Sequence, residues 1–502
     1  MGAAAVNDWH RLLNSLTQHV RQTRWRALAA LLTGAASVFC FAPFALWWLA
    51  FPLGCVLFLL LDQSPTPRAA ALTGWLFGCG FFLAGVSWVY VSLSVFGGMP
   101  AWVAALATLL FCLAMALYPA LFGAVFKRWQ PAERLVAALY FAALWALSDW
   151  LRGWLFTGFP WLALGYSQGP GSPLAGFAPV LGVYGLSLLT ALLAALLACW
   201  RVGLPVLLLV FGAGLALAQV AWTTPAGAPI SVALAQGNVP QSLKWEPTQF
   251  FRTLRLYRDL VEAHPAQLTV LPETAAPAFF DQLPPEFVDD LQRLALREQG
   301  DLLLGTVTGS GTQYWNTAVS LGASARQQYS KSHLVPFGEF IPPGFSWFLQ
   351  MAHIPMSEFS RGAATQPPLA IAGQQLAINI CYEDVFGEEI IRALPAATML
   401  VNMSNTAWFG RSLAQPQHLQ IAQMRALETG RPMLRATNTG MTAVIQPDGT
   451  VQAVLPAFTT AVLRAEVQGY QGMTPYARWG NGLALLLAAA LLAGVFLRQK
   501  TK

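Results

Sequence analysis

Residues 69–126, AAALTGWLFGCGFFLAGVSWVYVSLSVFGGMPAWVAALATLLFCLAMALYPALFGAVF, contain no Asp, Glu, Lys or Arg. A hydrocarbon core of about 30 Å takes roughly 20 apolar residues as helix, so this run holds two passes, divided at the Gly-Gly-Met-Pro break of residues 97–100. Other charge-free runs lie between Arg26 and Asp62, Arg152 and Arg201, and Arg478 and Arg498. Splitting at Pro and Gly gives about eight transmembrane helices, near 26–42, 44–61, 69–95, 100–126, 132–151, 174–200, 203–222 and 479–498. The weakest break is Ala42-Pro43, because a Pro can also sit inside a kinked membrane helix. The whole 502-residue chain agrees: 56% is hydrophobic, 10% is charged and the mean hydropathy is +0.50. Soluble domains average about 25% charged residues, so much of this surface faces lipid.

The net charge of +6 is unevenly spread. The membrane segments, 1–228 with 479–502, carry thirteen basic and four acidic residues, whereas 229–478 carries sixteen basic and nineteen acidic ones. The basic excess is therefore an orientation signal and not a nucleic-acid surface. With the N-terminus cytoplasmic, Arg11, Arg21, Arg24, Arg26, Arg68, Lys127, Arg128, Arg134, Arg201, Arg498, Lys500 and Lys502 lie on the cytoplasmic side, and the short outer loops hold only Arg152. Residues 223–478 then lie outside the cytoplasm, with both termini inside. The basic N-terminus followed by an apolar run reads as an uncleaved first helix.

The organisation expected is membrane helices one to seven over 1–222, an extramembrane domain over 223–478, and a last helix with a cytoplasmic tail over 479–502. Within the middle segment, Ile230–Ala235, Leu268–Leu271, Leu302–Val307, Ala377–Ile380 and Thr398–Val401 read as buried strands. Pro247–His264, Pro285–Gln299 and Gln415–Gly430 read as helices, and Met441–Gln446 with Val451–Leu455 as strand–turn–strand. The apolar segment Phe340–Phe359 is either a loop dipping toward lipid or an ordinary packed loop.

Of six cysteines, Cys40, Cys55, Cys79, Cys112 and Cys199 fall in membrane helices, leaving Cys381 without an intradomain disulfide partner. Cys381 ends the run Leu376-Ala377-Ile378-Asn379-Ile380 and precedes a helix-like stretch, where backbone N–H groups favour a thiolate and a developing oxyanion. Glu273 follows the strand Leu268–Leu271, and Lys331 follows Tyr329-Ser330. A free thiol has a pKa of about 8.5 and needs help near neutrality. A carboxylate as general base and an ammonium as oxyanion partner would supply it. Gly165-Tyr166-Ser167-Gln168-Gly169 matches a serine-hydrolase elbow but follows a membrane span instead of a strand. Gly74 and Gly78 fit a helix-packing GxxxG spacing. Six histidines show no metal-ligand spacing, so neither a metal nor another cofactor is expected.

In order, Glu273, Lys331 and Cys381 match the catalytic set of the nitrilase superfamily. Along nearly its whole length the chain resembles the apolipoprotein N-acyltransferases. The carrying motifs are residues 235–241 (AQGNVPQ), 271–274 (LPET), 331–339 (KSHLVPFGE), 381–383 (CYE) and 402–410 (NMSNTAWFG). The resemblance implies an αββα nitrilase-like sandwich in a bacterial inner membrane, the catalytic domain facing the periplasm. It implies acyl transfer from a phospholipid to the N-terminal amine of diacylglyceryl-cysteine apolipoproteins. It also implies supporting roles for Glu339, Glu383 and Tyr382, and places Trp245, Asn316, Tyr382 and Trp408 near the acyl or head-group site. Two rivals remain: a membrane-anchored amidase or nitrilase, for which one anchor would suffice, and a transporter or scaffold with a degenerate nitrilase domain.

Overall fold

The computed structural model describes residues 24–500 except 245, 311–312, 343 and 345–357. Trp245 and most of Phe340–Phe359 therefore lie outside the described residues. Four stretches are long and apolar enough to cross a membrane: Pro67–Val86, Ala101–Arg128, Arg134–Thr157 and Pro173–Leu217. Trp47–Asp62 and Gly482–Arg498 are shorter apolar helices, and residues 24–36 form another helix, continued by a 3-10 turn at Ser37–Cys40. The longest stretch is a hairpin. Ala178–Leu196 turns at Leu197–Cys199 into Trp200–Leu217, so that Gly214 returns to lie against Pro173 and Gly176.

Small residues let these helices touch through their backbones. A Cβ on Gly34 would overlap the Phe77 carbonyl, and one on Gly80 the Leu31 carbonyl. Gly74 and Gly78 face Pro119 and Ala116 in the same way, so their spacing serves helix packing. Pro67–Val86 starts where the Thr66 hydroxyl caps the Ala69 N–H, with Pro67 in the first turn.

Three sequence expectations need correction here. The helix expected over 69–95 ends at Val86 and gives way to a short helix, Val89–Val91, and a π-helical turn, Ser92–Phe96. The helix expected over 203–222 ends at Leu217, because a strand begins at Thr223. Arg152 is not a loop charge. It lies in the helix Arg134–Trp154, is 3% exposed, and pairs with Asp149 at 3.0 Å.

Residues 223–472 build two six-stranded sheets. One runs in the order β12-β1-β2-β3-β4-β5, from Ala461–Gly472, Thr223–Gln236, Leu268–Val270, Asp301–Ser310, Gln313–Gly322 and Gln328–Ser330. The other runs β11-β10-β9-β8-β7-β6, from Val451–Val454, Ala443–Ile445, Met433–Thr437, Met399–Ser404, Gln374–Ile380 and Leu369–Ile371. In each sheet three central neighbours are parallel, β1-β2-β3 and β7-β8-β9.

Alternation decides the layers. Ile230, Val232, Leu234, Leu303, Leu376, Ile378, Ile380, Met399, Val401 and Met403 fill the space between the sheets. Leu302 and Leu304 turn outward to meet the helices Pro247–Ala263 and Pro285–Arg297. Ala377, Leu400 and Met433 meet the helix Ala414–Thr429. The result is an αββα sandwich, and the carboxyl ends of β2, β7 and β8 converge at one rim.

Candidate active site

β2 ends at Val270, and Leu271-Pro272 carries the chain to Glu273 at that rim. Glycine is required opposite this turn, because a Cβ on Gly305 of β3 would strike the Pro272 carbonyl and the Glu273 Cα. Glu273 is 7% exposed. Its Oε1 accepts from Asn316 Nδ2 at 2.7 Å and from Lys331 Nζ at 3.5 Å, and its Oε2 accepts the Asn405 N–H at 2.7 Å.

Lys331 follows β5, its N–H bonded to the Asn316 carbonyl at 2.8 Å. Its ammonium, 1% exposed, lies 2.8 Å from Glu339 Oε1. The other Glu339 oxygen accepts the Val335 N–H at 2.9 Å, and Asn316 Nδ2 also reaches Glu339 at 3.2 Å. Glu273, Lys331, Glu339 and Asn316 thus form one bonded cluster.

Cys381 immediately follows β7 and takes a left-handed backbone, φ +54. Such strain costs about 1–3 kcal/mol and persists only when neighbours over-determine it. Here Asn402 Nδ2 donates to the Cys381 carbonyl at 3.1 Å, and Glu383 Oε2 accepts the preceding Ile380 N–H at 2.7 Å. The chain continues as a five-residue 3-10 turn, Cys381–Val385, and not as the helix that the sequence suggested. An α-helix dipole behind the thiol is therefore absent, and the charges around Cys381 come from side chains.

Glu383 ties this turn to the lysine loop. It accepts from Ser332 N–H at 2.7 Å, Ser332 hydroxyl at 2.9 Å, His333 N–H at 3.0 Å and Tyr329 hydroxyl at 3.0 Å. It therefore fixes Lys331 relative to Cys381. Tyr382 points the other way, donating to the Gly158 carbonyl of the membrane part at 3.0 Å. Trp408 also lies against that part: its carbonyl accepts from Ser92 at 2.8 Å and its ring stands 6.1 Å from that of Phe96.

The electrostatics are ordered. Burial pushes the Glu273 carboxyl up, but Lys331, Lys244, Asn316 and Asn405 outweigh it, and the net pKa lies below the ordinary value. Burial opposes the Lys331 ammonium, and Glu339 and Glu273 more than offset that, raising its pKa. Cys381 is pushed up to about 12 by burial and then by Glu273, against Lys331 and the Ser404 hydroxyl. The resting site thus holds a carboxylate, an ammonium and a neutral thiol.

Several residues here escaped the sequence reading. Lys244 is buried with its ammonium on the Glu273 carbonyl and the Thr274 hydroxyl. Asp384 holds His418 at 2.7 Å and Arg435 at 2.8 Å, and Arg435 reaches Asn402 at 2.9 Å, completing a buried chain to the Cys381 carbonyl. A lone Lys before an aromatic, or an Asp after Cys-Tyr-Glu, has no spacing that marks it. Ser167, the serine of the elbow-like pattern, is buried and donates to the Leu164 carbonyl at 2.6 Å, a local 3-10 contact.

Comparison with known proteins covers both parts of the chain. A family described as the apolipoprotein N-acyltransferase N-terminal domain matches residues 33–196, and the carbon-nitrogen hydrolase family matches 231–476. The apolipoprotein N-acyltransferase of Nitrosomonas europaea is 51% identical over 500 residues, covering 95% of this chain and 99% of that protein. The one of Ralstonia nicotianae is 46% identical over 503 residues, covering 97% and 96%. Among solved structures, a variant amidase of Nesterenkonia from the nitrilase superfamily is 21% identical with a TM-score of 0.37, covering 51% of this chain and 95% of that one. Identity of that order, sustained through the membrane helices and the sandwich alike, means that the chain belongs to the apolipoprotein N-acyltransferase family.

Proposed function

We propose that this protein acylates the N-terminal amine of diacylglyceryl-cysteine apolipoproteins with a chain taken from a phospholipid, in two half-reactions through a thioester on Cys381. The observation that carries the reading is the bonded cluster of Glu273, Lys331, Glu339 and Asn316 at the rim where Cys381 takes its left-handed turn. The family supplies the acyl-transfer context.

In the first half-reaction the Cys381 sulfur attacks the donor ester while Glu273 takes the thiol proton. With the thiol raised and the carboxyl lowered, free thiolate is scarce, so proton transfer accompanies attack. Lys331 faces the tetrahedral oxyanion. Collapse breaks the ester C–O bond, and the proton on Glu273 passes to the departing glycerol oxygen, giving a lysophospholipid. In the second half the acceptor amine attacks the thioester, Glu273 takes a proton from nitrogen, the C–S bond breaks, and the thiol is restored. Glu339 and Glu383 hold Lys331 in place. Asn316 orients Glu273, and Tyr382 and Trp408 join the site to the membrane part. Trp245 is assigned to the acyl or head-group site on the family resemblance alone.

The same reading places eight helices across a bacterial inner membrane, divides the chain at 1–222, 223–478 and 479–502, and puts the catalytic domain in the periplasm with both termini cytoplasmic. Its support is the loop-charge bias together with the charges gathered at one end of the bundle. There Arg134 meets Asp62 at 3.3 Å, Arg498 meets Glu133 at 2.8 Å, and Lys127 reaches the Asp62 carbonyl at 2.8 Å. The sandwich meets the other end, through Ser92, Thr157 and Gly158.

Phospholipid alone, in detergent micelles, should yield an acylated Cys381 that hydroxylamine removes. Adding an acceptor lipopeptide should discharge it as an amide. Product that forms only with both substrates present, with no acyl-enzyme trapped at any time, would refute the two-step scheme.

A further inference from the structure

Lys244 is 4% exposed and reaches the active-site rim from the short turn Gln241–Leu243. Its ammonium donates to the Glu273 carbonyl at 3.2 Å and to the Thr274 hydroxyl. Thr274 itself takes a left-handed backbone, φ +45, so the turn that presents Glu273 is strained and needs holding. Gly305 presses it from β3, and Lys244 grips it with an ammonium.

Charge balance points the same way. The cations acting on the Glu273 carboxylate are Lys331 and Lys244; Cys381 and His418 feel its charge, and Glu339 and the buried Glu383 share Lys331. Lys331 is shared: it lies 2.8 Å from Glu339 and 3.5 Å from Glu273. Two carboxylates against Lys331 alone would leave a buried excess negative charge, and one carboxyl would take up a proton. Lys244 adds a second buried ammonium beside Glu273. It also leaves Glu273 a cation when Lys331 is engaged by an oxyanion.

We infer that Lys244 is a positioning residue for the reaction: its grip on the turn fixes the direction of the Glu273 carboxylate, and its buried positive charge keeps that carboxylate ionised. The inference rests on Glu273 being the base. Burial lowers Lys244 to about 8, so it stays charged throughout the acidic range in which Glu273 titrates.

The test is the pH profile of Cys381 acylation by phospholipid in micelles, read as lysophospholipid release. Activity needs ionised Glu273 and falls as the pH drops through its pKa. Lys244→Met removes a charge that lowers that pKa, so the acid limb should move up by about one pH unit. Lys244→Gln, which keeps a donor without the charge, should move it likewise, and serves if Lys244→Met does not fold. Lys244→Arg should leave the limb in place. Thr274→Val, which loses the gripped hydroxyl and keeps the charge, should lower the rate several-fold with the limb unmoved. A limb that stays put in the neutral variants, or moves as far in Thr274→Val, overturns the inference. Glu273→Gln separates the two readings. If it keeps activity with the wild-type limb, Glu273 is not the base. If it is inactive while Lys244→Met leaves the limb unchanged, only the role of Lys244 fails.

Discussion

Replacing Glu273 by Gln should make Cys381 more reactive toward a small alkylating agent while acyl transfer is lost. The thiol is held up at about 12, and Glu273 is the largest charge contributing to that rise. A neighbouring charge shifts such a group by about 1–3 pK units, roughly 3 kcal/mol near the middle of that range. Removing it lowers the thiol pKa by about 2 units and so raises the small thiolate fraction at pH 8 about 100-fold. A less basic thiolate is a weaker nucleophile, with a Brønsted slope of about 0.4–0.5, so the net gain is about tenfold. Acyl transfer, deprived of the proposed general base, should fall by about 10²–10⁴. The substitution is nearly isosteric, but three donors, Asn316 Nδ2, Lys331 Nζ and the Asn405 N–H, converge on two carboxylate oxygens. The new amide must turn its NH2 toward one of them, at a cost of about 1–3 kcal/mol, which a melting curve will register. Iodoacetamide labelling between pH 6 and 10, read on the Cys381 peptide by mass spectrometry, makes the measurement. If alkylation falls in step with acyl transfer, Glu273 forms a resting thiolate and proton transfer concerted with attack is wrong.

Other consequences can be checked alongside it. Lys331→Ala should slow acylation by about 10²–10³ through the lost oxyanion partner, and should slow alkylation as well, because Lys331 lowers the thiol pKa; faster alkylation would count against this. Glu383→Ala leaves the Ile380, Ser332 and His333 N–H groups without their acceptor. It should destabilise the protein by about 3 kcal/mol, and an unchanged melting temperature would show that Glu383 does not bind the two loops together. Impermeant labelling of single cysteines introduced at the exposed Gln313 and at the C-terminus should succeed from opposite sides of the membrane; labelling of both from one side would refute the orientation.

The sequence was most legible where one period or one charge count sufficed. Charge-free runs located the apolar helices, and the β-branched runs located β1, β2, β3, β7 and β8. It was least legible in edge strands such as Gln328–Ser330, Leu369–Ile371 and Ala461–Gly472, whose pairing comes from distant partners. Ala461–Gly472, for example, is a strand because it lies against Thr223–Gln236, more than 200 residues earlier. Arg152 was misplaced because a charge inside a membrane bundle looks like a loop until its partner is known, and Asp149 lies only one turn away. In the site, Glu273, Lys331 and Glu339 stand in the motifs, and Asn316 was placed by the family resemblance near the acyl or head-group site; the four are bonded together. Lys244, Asp384 and Arg435 were not, since their chemistry exists only through contacts from separate strands and turns.

Those contacts also explain why the membrane part and the sandwich work as one body. The Cys381–Val385 turn is strained, and neither side alone holds it. On the sandwich side Asn402 fixes the Cys381 carbonyl and Glu383 the Ile380 N–H. At its far end, the Val385 carbonyl accepts from Arg425 at 3.2 Å and from Tyr166, in a buried membrane-side loop, at 3.3 Å. Tyr382 donates to Gly158 in the same loop region, and Phe159 and Trp161 there are held by the buried Arg152 through their carbonyls. Asp149 anchors that Arg152 and accepts from the Leu164 N–H and the Ser187 hydroxyl. Polar contacts and the short loop between them therefore link two membrane helices to Tyr382 and Val385 of the turn that begins at Cys381. A sandwich swinging on a flexible linker would keep its sheets but lose the two restraints that Tyr166 and Gly158 place on this turn. In the proposed reaction lipid-borne reactants reach the rim from the bilayer, which requires the thiol to stand at a fixed height and direction above it. Fixing the turn from the membrane side supplies that placement, in the way that oriented reactants gain rate from restraint already present before they meet.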